Sequence, residues 1–115
     1  NKGAGSDGLP AVFVSRCATV LAHPLRLIYN KSLITGVFPS DWKLALIVPL
    51  HKDGPKDLIR NNRPISILVV FAKIFEQLLH PILAWHFKNL ISPHQHGFTK
   101  SRSTSTNLTS FINEI

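Results

Sequence analysis

The chain has 115 residues, a length suited to one small domain with a modest core. It carries 13 Lys plus Arg against 6 Asp plus Glu, a net charge of +7. Such an excess favours a polyanionic partner: nucleic acid, nucleotide phosphates or an anionic membrane surface. Cys17 is the only cysteine, which excludes an intramolecular disulfide and a cysteine zinc site and matches a reducing, intracellular compartment. Asn1 to Gly8 is polar and glycine-rich, unlike a signal peptide. The longest apolar stretch, Ile65 to Trp85, contains Lys73, Glu76, Gln77, His80 and Pro81, too polar for a membrane span. The chain lacks methionine and starts at Asn1, so both ends are expected to be cut from a longer reading frame.

In chain order, Asn1 to Leu9 reads as loop, and Pro10 suits a first helical position. Phe13, Cys17, Val20 and Leu21 recur at helical spacing. Pro24 is expected to interrupt that helix and start a second, with Leu25, Ile28, Tyr29 and Leu33 on one face and Gly36 as terminator. Leu44 to Val48, ending at Pro49, reads as a buried or edge strand. Asp53-Gly54-Pro55 marks a turn. Ile65 to Val69, after Pro64, reads as a second strand pairing antiparallel with the first. Phe71, Ile74, Phe75, Leu78, Leu79 and Ile82 form the clearest amphipathic helix, with a kink or break expected at Pro81. Ser92 to Ser101 reads as loop. A final helix begins near Ser103 under a Ser or Thr cap, with Leu108, Phe111, Ile112 and Ile115 on one face. The sum is helix-rich α+β with one small antiparallel β-hairpin.

The hairpin is where chemistry gathers. Lys52 ends the first strand and Arg63 precedes the second, with Lys56 and Arg60 in the connecting loop. Arg grips phosphate oxygens in a fork, and Lys offers a compact charge. Spacing alone favours a solvated loop with scattered charges over a phosphate grip. Asp53 and Asp57 lie beside Lys52 and Lys56, which suggests ion pairing rather than a metal site. The six histidines, with no cysteine or acidic cluster around them, read as satisfied or solvent-facing. Trp42 and Trp85 adjoin apolar runs, which favours core or core-edge packing over base stacking. Ser66 and Ser103 have no His–Asp arrangement to activate them. Asn30-Lys31-Ser32 and Asn107-Leu108-Thr109 match a glycosylation pattern but are expected on helices of an intracellular protein.

Five segments, taken together, resemble the reverse transcriptases of jockey-like non-LTR retrotransposons of animals. They are Gly5-Ser6-Asp7-Gly8-Leu9-Pro10, Trp42-Lys43 through Pro49-Leu50-His51-Lys52, Asn61-Asn62-Arg63-Pro64-Ile65-Ser66, Phe71 to Glu76, and Gln95-His96-Gly97-Phe98 through Leu108. The likeness covers nearly the whole chain in the right order. It implies the fingers and early palm of a right-hand polymerase, with residues 1–115 a partial reverse transcriptase domain that ends before the catalytic palm motifs. It implies that Lys52 and Arg63 contact the incoming nucleotide's triphosphate. Gln95, Gly97, Phe98 and Arg102 are expected near the template strand and nucleotide pocket.

By the same resemblance the complete parent would use Mg2+, an RNA template, a DNA primer and deoxynucleoside triphosphates, in the nucleus and without a membrane. No residue here is expected to be catalytic or to bind metal. The alternatives are a catalytically inert nucleic-acid-binding module and a degenerate retroelement product. Ala4 and Ser6 depart from the family's opening prolines, Asn62 from its tyrosine, and Ser101 from its glycine. The last change is strained if that position needs a positive φ.

Overall fold

The computed structural model describes residues 3–115, in two compact units, Asn1–Leu78 and Leu79–Ile115. The elements run α1 (Ala11–Arg16), α2 (Ala18–Thr35), a 3₁₀ turn (Ser40–Lys43), β1 (Leu46–His51), a second 3₁₀ turn (Ile59–Asn61), β2 (Asn62–Ile67), α3 (Val70–Phe87) and α4 (Thr104–Glu114). Helices dominate, and β1 and β2 form one antiparallel two-stranded sheet. That is the α+β class expected from the sequence.

The first unit opens on a tied-down turn. Gly8 sits at φ +73° and donates its N–H to the Gly5 carbonyl at 3.1 Å. The Asp7 carboxylate accepts from the Leu9 N–H at 3.0 Å, and the Ser6 hydroxyl donates to the Leu44 carbonyl at 3.0 Å. The helical break then falls at Cys17 (φ −96°, ψ 12°), not at the expected Pro24, which lies inside α2. Pro24 deletes only the bond its N–H would give to the Val20 carbonyl. The burial of Tyr29 and Ser32 farther along keeps α2 in place despite that loss. Gly36 closes α2 as expected, in the left-handed conformation at φ +69° with its N–H on the Ser32 carbonyl.

The strands also differ from expectation. Both run through their prolines, with Pro49 directly opposite Pro64. The reason lies in the ladder. The Lys52 N–H donates to the Asn61 carbonyl at 2.8 Å, so the register makes 52/61, 50/63 and 48/65 the bonded pairs. Pairs 51/62, 49/64 and 47/66 then exchange no bonds. Each proline occupies a position where no ladder donor is required. β1 is exposed along its whole length, so of the two expected alternatives it is the edge strand and not the buried one.

The core of the first unit is Val14, Tyr29, Val69, Val70, Ala72 and Phe75. Around it stand Phe38, Trp42 and Phe71. Tyr29 stacks on Phe75 with ring centroids 4.9 Å apart and meets Trp42 edge-on at 5.8 Å. Its hydroxyl donates to the Phe71 carbonyl at 2.8 Å. Desolvation by this burial raises the Tyr29 pKa above the ordinary phenol value of 10.0. Stability from the buried neutral phenol is therefore present below pH ~10 and lost as pH rises through the raised folded value. Tyr29 is the only tyrosine, so phenolate absorbance reports it alone. Its titration midpoint is expected above that of the urea-unfolded chain, and coincident midpoints would refute the burial.

The second unit holds the end of α3, the loop after it, and α4. α3 continues through Pro81 to Phe87, so the proline does not break it. Ser103 caps α4, accepting from the Thr106 N–H while the Thr106 hydroxyl accepts from the Ser103 N–H. The cap is the one expected. No residue from 79 to 115 is buried, and Leu108, Phe111, Ile112 and Ile115 of α4 are all exposed. Among the described residues, no helix is long and apolar enough to cross a membrane.

Candidate nucleotide-binding ribbon and aromatic loop

Register decides which side chains share a face of the ribbon. Side chains alternate along a strand, so Leu46, Val48, Leu50 and Lys52 lie on one face with Ile67, Ile65, Arg63 and Asn61. Lys52 is opposite Asn61, and Arg63 is its diagonal neighbour, at a spacing of roughly 7–8 Å in such ladders. The two expected phosphate ligands are thus brought to one face of one ribbon end, and both are exposed.

The connecting loop is shaped by its own polar side chains. His51 Nε2 donates to the Gly54 carbonyl at 2.8 Å, and Gly54 takes φ +73°. Asn61 Nδ2 donates to the Pro55 carbonyl at 2.7 Å and Asn62 Nδ2 to the Leu58 carbonyl at 3.2 Å. An isolated two-stranded ribbon is marginal in water, and these bonds close the end that carries Lys52 and Arg63. The turn at Asp53-Gly54-Pro55 was read from the sequence, whereas the shaping roles of His51, Asn61 and Asn62 were missed, although Asn-Asn before Arg63 is turn chemistry that signals them.

The expected ion pairs with Asp53 and Asp57 do not form. Among the described residues the one close contact between a basic side chain and a carboxylate joins His94 Nδ1 to Glu114 Oε1 at 3.0 Å, in the second unit. Lys52, Lys56, Arg60 and Arg63 therefore keep their charge free for a ligand. Also among the described residues, no three of His, Cys, Asp and Glu come together to hold a metal.

The remaining candidates, Gln95, Gly97, Phe98 and Arg102, fall in one loop of the second unit. Arg102 Nη1 donates to the Pro93 carbonyl and to the Gln95 carbonyl, the latter at 2.7 Å. Gln95 Nε2 donates to the Gly97 carbonyl at 2.9 Å. Thr99 Oγ1 lies 3.2 Å from both the Gln95 and Gly97 carbonyls. His96 Nδ1 meets Thr106 Oγ1 at 3.0 Å. Gln95 and one end of Arg102 are thus spent on the loop's own backbone.

What these bonds hold is a strained conformation. Phe98 has φ +56° and Ser101 φ +64°, each costing about 1–2 kcal/mol for a residue with a Cβ. Ser101 thus meets the condition under which its departure from the family's glycine is strained. The left-handed geometry at Phe98 has no signal in the sequence. The result is a Phe98 side chain at 113% relative exposure, on the rim of a shallow cleft of about 310 Å³ that Arg102 and Asn107 also line. Trp85, expected in or near the core, is instead 66% exposed, with Lys88 Nζ 5.3 Å from its ring centre. Trp42 packs in the aromatic cluster, as expected.

The chain belongs to the RNA-directed DNA polymerases of non-LTR retrotransposons. Over 98 residues, 76% of this chain, it is 37% identical to the probable RNA-directed DNA polymerase from transposon BS of Drosophila melanogaster. It is 30% identical over 79% of its length to the corresponding protein of the X-element from the same fly. Over 48% of its length it is 44% identical to the RNA-directed DNA polymerase from mobile element jockey, also of Drosophila melanogaster. The aligned segments span 11%, 10% and 6% of those three proteins, so the chain corresponds to about a tenth of its relatives' length or less. No family model matches it.

Proposed function

We propose that this chain is fingers-type structure of an RNA-directed DNA polymerase and that its ribbon end grips the triphosphate of the incoming deoxynucleotide. The observation that carries this reading is the register: it sets Lys52 and Arg63 on one exposed face with no carboxylate paired to either. Arg63 would fork two phosphate oxygens while Lys52 neutralises a third, and Lys56 and Arg60 add a positive field at the same end. RNA template and DNA primer are the other substrates that this reading implies, with a nuclear workplace for the longer protein. The Mg2+ that the family resemblance implies finds no fitting ligand set among the described residues, so the part assigned to this chain is to bind and orient, not to hold metal.

The test is kinetic. In a polymerase carrying this segment, Lys52→Ala and Arg63→Ala are each expected to lower kcat/KM for the nucleotide about tenfold or more, because a charge-assisted contact is worth about 1.5–3 kcal/mol. Unchanged kinetics for both variants would return the ribbon to a solvated loop. Unchanged kinetics combined with weaker RNA binding would favour an inert nucleic-acid-binding module.

A further inference from the structure

We propose that the outer face of α2 docks an acidic amphipathic helix of a separate protein, with apolar side chains of that helix on Val20, Leu27 and Ile34 and its carboxylates on Arg26 and Lys31. The proposal concerns other residues than the triphosphate grip and does not depend on it.

The first observation is that α2 is apolar on two opposite sides. Its 18 residues give the core one narrow stripe. Leu21, Leu25, Tyr29 and Ser32, at steps of four, four and three, are its only buried or half-buried residues. Val20, Leu27 and Ile34 recur every seven residues, so they stand in one row on the side opposite that stripe. They are 76%, 57% and 85% exposed. A helix with apolar rows on two sides has a place for two neighbours, and the first unit supplies one. On the Lys31 side of the row, Ile28, Thr35 and Val37 help to line a shallow hollow of about 180 Å³ that takes a further apolar side chain.

The second observation is charge. Arg26 and Lys31 stand on either side of Leu27, at the positions that in paired helices meet the partner's flanking charges. Both are exposed, and among the described residues no carboxylate contacts either. From Gly8 to Ser40 the sequence has no acidic residue. Asp7 and Asp41, at the two ends of that stretch, pair with neither cation.

Charge and width together decide the occupant. Two copies of α2 laid face to face would set cation against cation across the seam. The chain's other helices are no substitute: α1 has no acidic residue, α3 has Glu76 alone and α4 has Glu114 alone. Nucleic acid would satisfy the two cations and leave the apolar row uncovered. A bilayer takes a broad apolar face, whereas Thr19, His23 and Asn30 run beside this row and keep it narrow. A helix with apolar residues at the same spacing and Glu on its flanks satisfies both the row and the cations.

The experiment uses the whole chain and a fluorescein-labelled synthetic helix of about three heptads, with Leu in its apolar row and Glu on both flanks. The same peptide with Lys in place of Glu is the comparison. Wild type is expected to bind the Glu peptide about tenfold or more tighter than the Lys peptide. Leu27→Ala is expected to weaken binding of the Glu peptide about tenfold. Arg26→Glu combined with Lys31→Glu is expected to reverse the preference, a switch that loss of folding cannot produce. Thermal melts of all variants are expected to match wild type, because the three side chains lie on the exposed side of α2. Equal affinity for the two peptides, or an unchanged preference after charge reversal, overturns the proposal. So does sedimentation of wild type as a dimer that Leu27→Ala separates, since a second copy then covers the row. Binding to phosphatidylserine vesicles in preference to the Glu peptide, lost in Leu27→Ala, overturns it in favour of a membrane surface.

Discussion

Tyr29→Ala is expected to destabilise the first unit by about 3–5 kcal/mol, the range for deleting a buried aromatic ring. The ring is stacked on Phe75, edge-on to Trp42, and its hydroxyl is on the Phe71 carbonyl, so one truncation opens a cavity at the centre of the cluster. Set against a total of about 5–15 kcal/mol for a domain, such a loss leaves little folded protein in warm solution. Tyr29→Phe keeps the ring and removes one hydrogen bond, a loss of about 1 kcal/mol. Urea unfolding followed by far-ultraviolet circular dichroism separates the two. A Tyr29→Ala midpoint close to that of Tyr29→Phe would show that the aromatic cluster is not the core.

Gly5→Ala is the second large effect. A Cβ at this position would lie 2.8 Å from the Leu68 carbonyl oxygen and from the N and Cα of Val69. All three are backbone atoms, at the junction that leads from β2 into α3. They cannot swing aside as a side chain would, and Val69, Val70 and Ala72 just beyond them are buried. Overpacking of this kind costs about 1–3 kcal/mol, with the upper part of the range expected where backbone must move. Gly3→Ala supplies the control, because nothing lies within 4 Å of its Cβ position. Equal unfolding midpoints for the two variants would mean that the opening segment is not packed against the α3 junction. Gly5 belongs to the first of the segments that resemble the family, and its role in the structure is to let two stretches of backbone touch.

Local chemistry was legible where it was self-contained. Ser103 capping α4 and Gly36 closing α2 each follow from a residue and its immediate neighbours. So does antiparallel pairing across Asp53-Gly54-Pro55. Pro24 and Pro49 were misread because a proline announces only what it cannot donate. Whether that loss ends an element depends on packing around Tyr29 in one case and on ladder phase in the other. That Lys52 and Arg63 share a face follows only from the register, since a slip of one residue would have sent them to opposite faces. Phe98 was named as a candidate, yet its outward turn depends on Arg102 reaching back to the carbonyls of Pro93 and Gln95. Nothing in composition or periodicity encodes that reach.

The opposed prolines have one more consequence. Residues whose N–H groups do not face the partner strand point them outward, along the two rails of the ribbon. On β1 those residues are Ile47, Pro49 and His51; on β2 they are Asn62, Pro64 and Ser66. Each rail is therefore missing its central donor. A third strand approaching from either side would meet a gap in the middle of its docking line. Long, apolar and exposed strands ordinarily invite chain-to-chain pairing and fibre growth, and here the same pair of rings that leaves the internal ladder intact blunts both outer margins. The ribbon can project its Lys52 and Arg63 end into solvent without recruiting copies of itself.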